Sequence, residues 1–206
     1  MTVTVLITGF GRFPGAPFNP SGPLALAVAK RRRPAFDEIH RAVHIFETSY
    51  AAVDRDLPKL IDAHKPDIVL LFGLAARTAF VRIETQARNA RSILFPDVSG
   101  YRPDARAIAH GEPALAGRAP MSRLLRAARA TRVPARMSRD AGRYLCNYVY
   151  WRALEASRSG TLAQFIHIPP VANRLRPKGR RRRISHAALV RAGEAILLAL
   201  LAARRR

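Results

Sequence analysis

The sequence is poor in cysteine, lysine and acid. Cys146 is the only cysteine among 206 residues, so no intrachain disulfide forms and a disulfide-stapled secreted fold is excluded. A zinc site built on several thiolates is excluded for the same reason. No uninterrupted run of 18 apolar residues occurs, and the candidate at 195–203 closely follows Arg191 and Glu194, so no membrane span is expected. The N-terminal Met1-Thr2-Val3-Thr4-Val5 carries no basic segment ahead of an apolar one, so no signal peptide is expected and the cytoplasm is the expected compartment. No internal repeat is visible.

What the chain has instead is arginine. Its formal charge is +22, from 36 basic against 14 acidic residues, and the lysines are only Lys30, Lys59, Lys65 and Lys178. Such a surface attracts nucleic acid non-specifically at low salt. The clusters at 31–33, 180–183 and 204–206 are not interleaved with aromatic residues as a base-stacking platform requires. A compositional preference for arginine accounts for them as well. The apolar fraction of 49% and the chain length suit one domain, residues 1–206, with a sizeable core.

Strand and helix patterns alternate. Val3 to Thr8 reads as a buried strand, Leu24 to Arg33 as a helix capped by Asn19 or Ser21, and Glu38 to Phe46 as a second strand. A helix over 51–63 stops at Pro66, and 67–73 is the strongest buried strand. A strand over 81–87 precedes a turn-rich, unassigned stretch from Ala90 to Pro120. Helix 121–130, strand 133–137, strand 162–168 and a final helix from Ser185 complete the pattern, with a basic, mobile loop expected over 171–183. Strands alternating with helices predict an α/β fold, a three-layer α/β/α sandwich on a largely parallel central sheet.

The chemistry centres on Cys146. The apolar residues Val149, Tyr150, Ala153 and Leu154 follow it at helical spacing. The sulfur therefore sits in a first helical turn, where free N–H groups and the positive dipole end favour an anion and draw a thiol toward neutrality. The same pattern also describes a buried core cysteine. His167 closes a buried strand, where α/β sites collect, and reads either as a base or as a satisfied core histidine. Glu84 lies on one strand phase with Arg82, Gln86 and Arg88. It reads either as the acid that orients a base or as a carboxylate paired on a solvated face. Asp140 and Glu155 are further acidic candidates, the first equally a turn residue and the second pointing to solvent. His40 and His44 stand four apart in a strand, a spacing that builds no two-histidine helical metal site. Phe10 and Phe13 flank a turn after the first strand and offer either core packing or an apolar pocket. Gly9 and Gly11 lack the third glycine of a phosphate loop.

Ile7-Thr8-Gly9-Phe10, Phe13, Asn19-Pro20-Ser21, Gly73 with Arg77, Ile83-Glu84, Asn89, Ser138 with Ala141-Gly142-Arg143-Tyr144-Leu145-Cys146-Asn147, and Ile166-His167-Ile168-Pro169 together resemble the type I pyroglutamyl peptidases (pyrrolidone-carboxylate peptidases). They span most of the chain, and the cysteine segment is the most specific. The resemblance implies a cofactor-free, metal-free cytosolic cysteine exopeptidase that removes N-terminal pyroglutamate from peptides, and a homo-oligomer, a tetramer in the family. It implies Cys146 as nucleophile, His167 as base and Glu84 as its orienting acid. The pyroglutamyl ring would lie between Phe10 and Phe13 and bond main chain near Leu74, with Asn19, Arg77 and Arg91 about the site.

The chain also departs from the family pattern. Leu74 stands where glutamine is usual, and Leu94 stands ten residues after Glu84 where an arginine is usual, with Arg91 three residues earlier. Pro170 stands where an aromatic is usual. These departures leave a hydrolase of another small N-acyl or lactam group as one alternative. A non-catalytic, arginine-rich nucleic-acid-binding protein on the same fold is the other.

Overall fold

A computed structural model describes residues 2–13, 17–171 and 184–205. The expected basic loop at 171–183 lies outside these residues except for buried Val171. Among the described residues, eight strands and five helices follow in the order β1(Val3–Phe10), α1(Ser21–Ala29), β2(Ile39–Phe46), α2(Tyr50–His64), β3(Ile68–Leu74), β4(Val81–Glu84), β5(Gln86–Arg88), β6(Ala114–Ala116), α3(Met121–Ala130), β7(Ala135–Ser138), α4(Leu145–Glu155), β8(Leu162–Ile168) and α5(His186–Arg204). A short 3-10 turn at Pro34–Phe36 precedes β2.

Six strands form the central sheet in the order β2-β1-β3-β8-β4-β7. The first four run parallel, and β4 pairs antiparallel to β8 while running parallel to β7. The sheet is thus mostly parallel, with a reversed pair at one edge. Alternation along the strands sorts side chains to two faces. Val5, Ile7, Leu70, Phe72, Ile83 and Ile166 pack against α1, α3 and α5. Leu6, Phe10, Leu71 and Phe165 pack against α2 and α4. Helices on both faces of the sheet make the three-layer α/β/α sandwich.

Several boundaries differ from the sequence pattern for physical reasons. Helix α1 begins at Ser21, three residues early, and ends at Ala29, with Pro20 at its N-cap and no side-chain cap. Asn19 and Ser21 are used otherwise. The Ser21 hydroxyl accepts the Phe10 N–H at 3.1 Å, and Asn19 Oδ1 accepts the Ser21 N–H and hydroxyl. Arg31 and Arg33, which the pattern placed in the helix, pair with buried Glu194 of α5. The single strand expected over 81–87 breaks at Thr85. Beyond it the chain leaves the central sheet, and β5 pairs with β6 from the unassigned stretch.

Helix α5 has the length and composition to cross a membrane. Its apolar face, including Leu189, Ile196, Leu197 and Leu200, is packed into the core against α1 and the sheet.

Candidate active site

Four strand positions meet on the α4 face by parity. In β4, Val81 and Ile83 face the α5 side, which turns Arg82 and Glu84 toward α4. In β8, Ile166 and Ile168 do the same and turn His167 toward α4. In β3, Val69 and Leu71 face α4, and so does the missing side chain of Gly73. Register then joins them. Gly73 is the parallel partner of His167, and Arg82 is the antiparallel partner of His167. Glu84 is therefore the diagonal neighbour of the imidazole across the antiparallel pair, within reach of a long side chain.

The contacts follow from that placement. His167 Nδ1 lies 2.8 Å from Glu84 Oε1. An ionised carboxylate only accepts, so Nδ1 carries the proton and donates, and Nε2 is left with its lone pair facing away from Glu84. Glu84 is fully buried. Arg82 Nε pairs ionically with the same Oε1 at 2.9 Å, while Oε2 has no partner among the described residues. Arg82 is fixed in turn by the Ser138 hydroxyl and the Asp140 carbonyl. The main chain of Glu84 is clamped as well, its carbonyl accepting from Tyr150 OH at 3.1 Å and from Gln164 Nε2 at 2.9 Å. A carboxylate so buried is costly unless paired, and Arg82 supplies the charge that keeps it there.

Cys146 is half-buried in the first turn of α4, two residues after the Tyr144 N-cap. Its sulfur lies over Gly73, where a Cβ would stand 2.8 Å from Sγ and 2.5 Å from the Phe165 ring. Glycine is required there because the nucleophile and an aromatic side chain use the space. Phe165 then leads edge-on to the His167 ring, with centroids 4.8 Å apart. The next residue, Asn147, is fully buried. It accepts the Arg88 N–H at 2.8 Å and donates to the Arg88 and Ala90 carbonyls at 2.8 Å each, which ties the segment after β5 to the start of α4.

One expectation is corrected. Burial pushes the Cys146 thiol up to about 12, and the Glu84 carboxylate adds to the rise, whereas Arg82 and the residue's own amide act against it. Desolvation outweighs the helix terminus, so the resting sulfur is a thiol and not a thiolate. Alkylation by iodoacetamide is accordingly expected to accelerate continuously from pH 7 through pH 10, and Glu84→Gln is expected to speed it at fixed pH by removing a repelling charge. A rate that levels off by pH 7 would show a resting thiolate and sink this account.

The other sequence candidates are distributed as follows. Phe10 is buried against Phe46, centroids 5.9 Å apart, in the same core as Cys146. Phe13 is half-buried. Asn19 Nδ2 donates to the Gly11 carbonyl at 2.9 Å, so its amide shapes the loop after β1. Leu74 ends β3 opposite Ile168, and Ala75 N–H bonds the Ile168 carbonyl at 2.8 Å. Arg77 is exposed. Arg91 turns to the Ala105 carbonyl at 2.9 Å and to Asp104 at 3.7 Å, and Leu94 is 72% exposed. Asp140 is a turn residue that accepts the Gly142 N–H, and Glu155 pairs with Arg152 at the surface.

The sequence pattern places Arg82 only on a solvated face and carries no sign of the contacts made by Asn147, Gln164 and Tyr150. The spacing of Arg82, two before Glu84 on one strand face, was the available signal. The contacts of the other three join residues 57 to 80 positions apart.

A cysteine at a helix start, over the strand residue opposite an imidazole held by a buried carboxylate on an α/β/α sandwich, is the arrangement of a cysteine hydrolase. The family model described as pyroglutamyl peptidase matches residues 3–201. A pyrrolidone-carboxylate peptidase of Thermococcus onnurineus is 36% identical over 172 residues, covering 80% of this chain and 82% of its own. Among solved structures, the pyrrolidone carboxyl peptidase of Thermococcus litoralis superposes with a TM-score of 0.86 at 26% identity, over 97% of this chain and 94% of its own. The Thermus thermophilus pyrrolidone carboxyl peptidase gives 0.83 at 27% identity, over 95% and 100%. The chain belongs to the pyroglutamyl peptidase family.

Proposed function

We propose that this chain hydrolyses the amide bond after an N-terminal pyroglutamyl residue of a peptide, through a thioester on Cys146. The observation that carries the mechanism is the alignment of Cys146 Sγ over Gly73, opposite an imidazole whose Nδ1 is committed to buried Glu84. His167 Nε2 takes the thiol proton as Sγ attacks the carbonyl carbon. Because the thiol rests protonated, this transfer accompanies the attack and does not precede it. The negative oxygen of the tetrahedral intermediate is met by the free N–H groups at the start of α4, that of Cys146 first. The C–N bond breaks as His167 returns the proton to the leaving amine. A water then gives its proton to His167 and attacks the thioester, releasing pyroglutamate and restoring the thiol.

The pyroglutamyl ring is uncharged, which fits a pocket walled by Phe10 and Phe13 whose polar contacts come from main chain near Leu74. Asn19 shapes that pocket through the loop it braces, and Arg77 and Arg91 are the polar residues assigned about it by the family resemblance. Glu84 and Arg82 act through His167, fixing its tautomer and orientation.

Release of a fluorogenic amine from a pyroglutamyl amide, compared with the prolyl and acetyl-alanyl amides, tests the reading. Turnover of the pyroglutamyl amide at least roughly 10²-fold above the other two is expected, because a site built to bond a lactam leaves its buried polar groups unpaired against an analogue lacking it. Equal turnover of the three would point to a hydrolase of another acyl group.

A further inference from the structure

Arg82, Gln86 and Arg88 share a strand phase with Glu84, and all three reach the turn between β7 and α4. Arg82 donates to the Ser138 hydroxyl at 2.5 Å and to the Asp140 carbonyl. Gln86 Nε2 donates to the Arg139 carbonyl at 3.2 Å, and Arg88 Nε to the same carbonyl at 3.4 Å, with Asp140 Oδ1 at 3.7 Å. The turn depends on such anchors. Of residues 139–143 only Ala141 is buried, and Gly142 has φ +85° with open space where a Cβ would stand. The Arg143 carbonyl is tied separately by the Ser92 N–H. Directly after it comes Tyr144, the N-cap of the helix that carries Cys146.

Arg82 differs from the other two in what it holds on its opposite side. Its Nε is ion-paired at 2.9 Å with Glu84 Oε1, the oxygen that also accepts from His167 Nδ1 at 2.8 Å. One guanidinium therefore touches both the acid that orients the base and the turn that delivers the nucleophile. The planar fork suits that task, with Nε toward the carboxylate and a terminal nitrogen toward Ser138 and Asp140. An ammonium group offers a single nitrogen and cannot span the same partners.

We propose that Arg82 is a positioning residue that couples the Glu84–His167 pair to the Cys146 turn and so keeps the imidazole and the sulfur in register. The inference rests on the pyroglutamyl peptidase reading above. Two effects follow, one mechanical and one electrostatic. Mechanically, the fork fixes the turn ahead of α4 to the strand that carries the orienting acid. Electrostatically, the ionisable groups about the sulfur are Glu84 and Arg82 of β4, the Tyr144 hydroxyl ahead of α4, and His167 of β8 opposite Gly73. Among these Arg82 alone is permanently positive, and its charge favours the thiolate that burial and Glu84 oppose.

The test compares Arg82→Gln, Arg82→Lys and Arg88→Gln in the full-length enzyme. It reads kcat and KM on a pyroglutamyl amide and the rate of Cys146 alkylation by iodoacetamide at pH 8. Arg82→Gln removes both effects. Its kcat is expected to fall roughly 10²-fold with KM little changed, and alkylation to slow by roughly 3- to 10-fold. That slowing is opposite in sign to the effect of Glu84→Gln, and opposite to what a loosened, better exposed sulfur would give. Arg82→Lys keeps the charge and loses the fork. Its alkylation is expected within about 2-fold of the wild type while kcat stays roughly 10-fold down. Arg88→Gln loosens the turn without touching Glu84, and is expected to lower kcat by less than about 3-fold. If Arg82→Gln leaves Glu84 unpaired and fails to fold, Arg82→Lys decides: lowered kcat with unchanged alkylation supports the coupling, and normal kcat overturns it. Alkylation of folded Arg82→Gln at or above the wild-type rate would reduce Arg82 to a packing role and overturn the inference. A loss of kcat in Arg88→Gln equal to that in Arg82→Gln would overturn it too. A wild-type enzyme that turns over no pyroglutamyl amide would overturn the reading on which the inference rests, and the alkylation rates would then decide the role of Arg82 by themselves.

Discussion

Cys146→Ala is expected to abolish turnover of a pyroglutamyl amide, and Glu84→Gln to lower kcat by up to roughly 10⁴-fold, the loss seen when a triad's orienting acid is replaced by its amide. The two effects differ in kind. Alanine removes the atom that forms the thioester, so only background hydrolysis remains. Glutamine keeps the volume but removes the charge and offers a donor where Oε1 now accepts from His167 Nδ1 and forms an ion pair with Arg82. If the amide NH₂ turns to His167, Nδ1 must become the acceptor and Nε2 carries the proton, so the base is lost. If the amide oxygen turns to His167 instead, the tautomer survives but the imidazolium formed during attack loses its counter-charge. Arg82 favours the second orientation because it too needs an acceptor, which is why some activity is expected to remain. The measurement is kcat and KM for both variants, with folding checked by circular dichroism. Near-normal kcat in Glu84→Gln would remove Glu84 from the mechanism.

Gly73→Ala is the second large effect, and it requires no change to a reacting group. The added Cβ would stand 2.8 Å from the Cys146 sulfur and 2.5 Å from the Phe165 ring, closer than non-bonded atoms pack. Both obstructing side chains are constrained, since Phe165 is fully buried and Cys146 is fixed to the first turn of α4. Overpacking of this sort costs about 1–3 kcal/mol. Relief by moving the sulfur away from the strand displaces it from its place over Gly73, the strand partner of His167, and a displacement near 1 Å can cost roughly 10²-fold in rate. A fall in kcat with KM little changed, together with a lower midpoint of denaturation, is the expected pattern. Full activity with unchanged stability would mean that the sulfur is not held over Gly73.

The sequence carried more of this protein than its length suggests, and the reason is periodicity. Strand β8 over Leu162–Ile168 and helix α3 over Met121–Ala130 were legible to the residue, because each is a clean two-fold or 3.6-fold pattern bounded by proline or turn residues. That regularity also placed Cys146 at a helix start and His167 near a strand end. The matching motifs along the chain pointed to the same family.

Other features depend on pairings between distant residues, which no local pattern encodes. That β4 runs against β8 sets Arg82 opposite His167 and Glu84 diagonal to it, and so turned a carboxylate readable as solvated into a buried one. The same burial reversed the expectation for the Cys146 thiol, since a helix terminus is a local feature whereas desolvation is the sum of everything packed around the sulfur. No local pattern assigns the turn-rich stretch from Ala90 to Pro120, because its order comes from polar contacts of Asn89, Asp97 and Tyr144 that bridge segments up to 48 positions apart. Local pattern therefore accounts for the regular elements and for the placement of Cys146 and His167 at element ends. The rise of the Cys146 thiol and the partners of Glu84 and His167 come instead from tertiary structure, because they depend on burial and register.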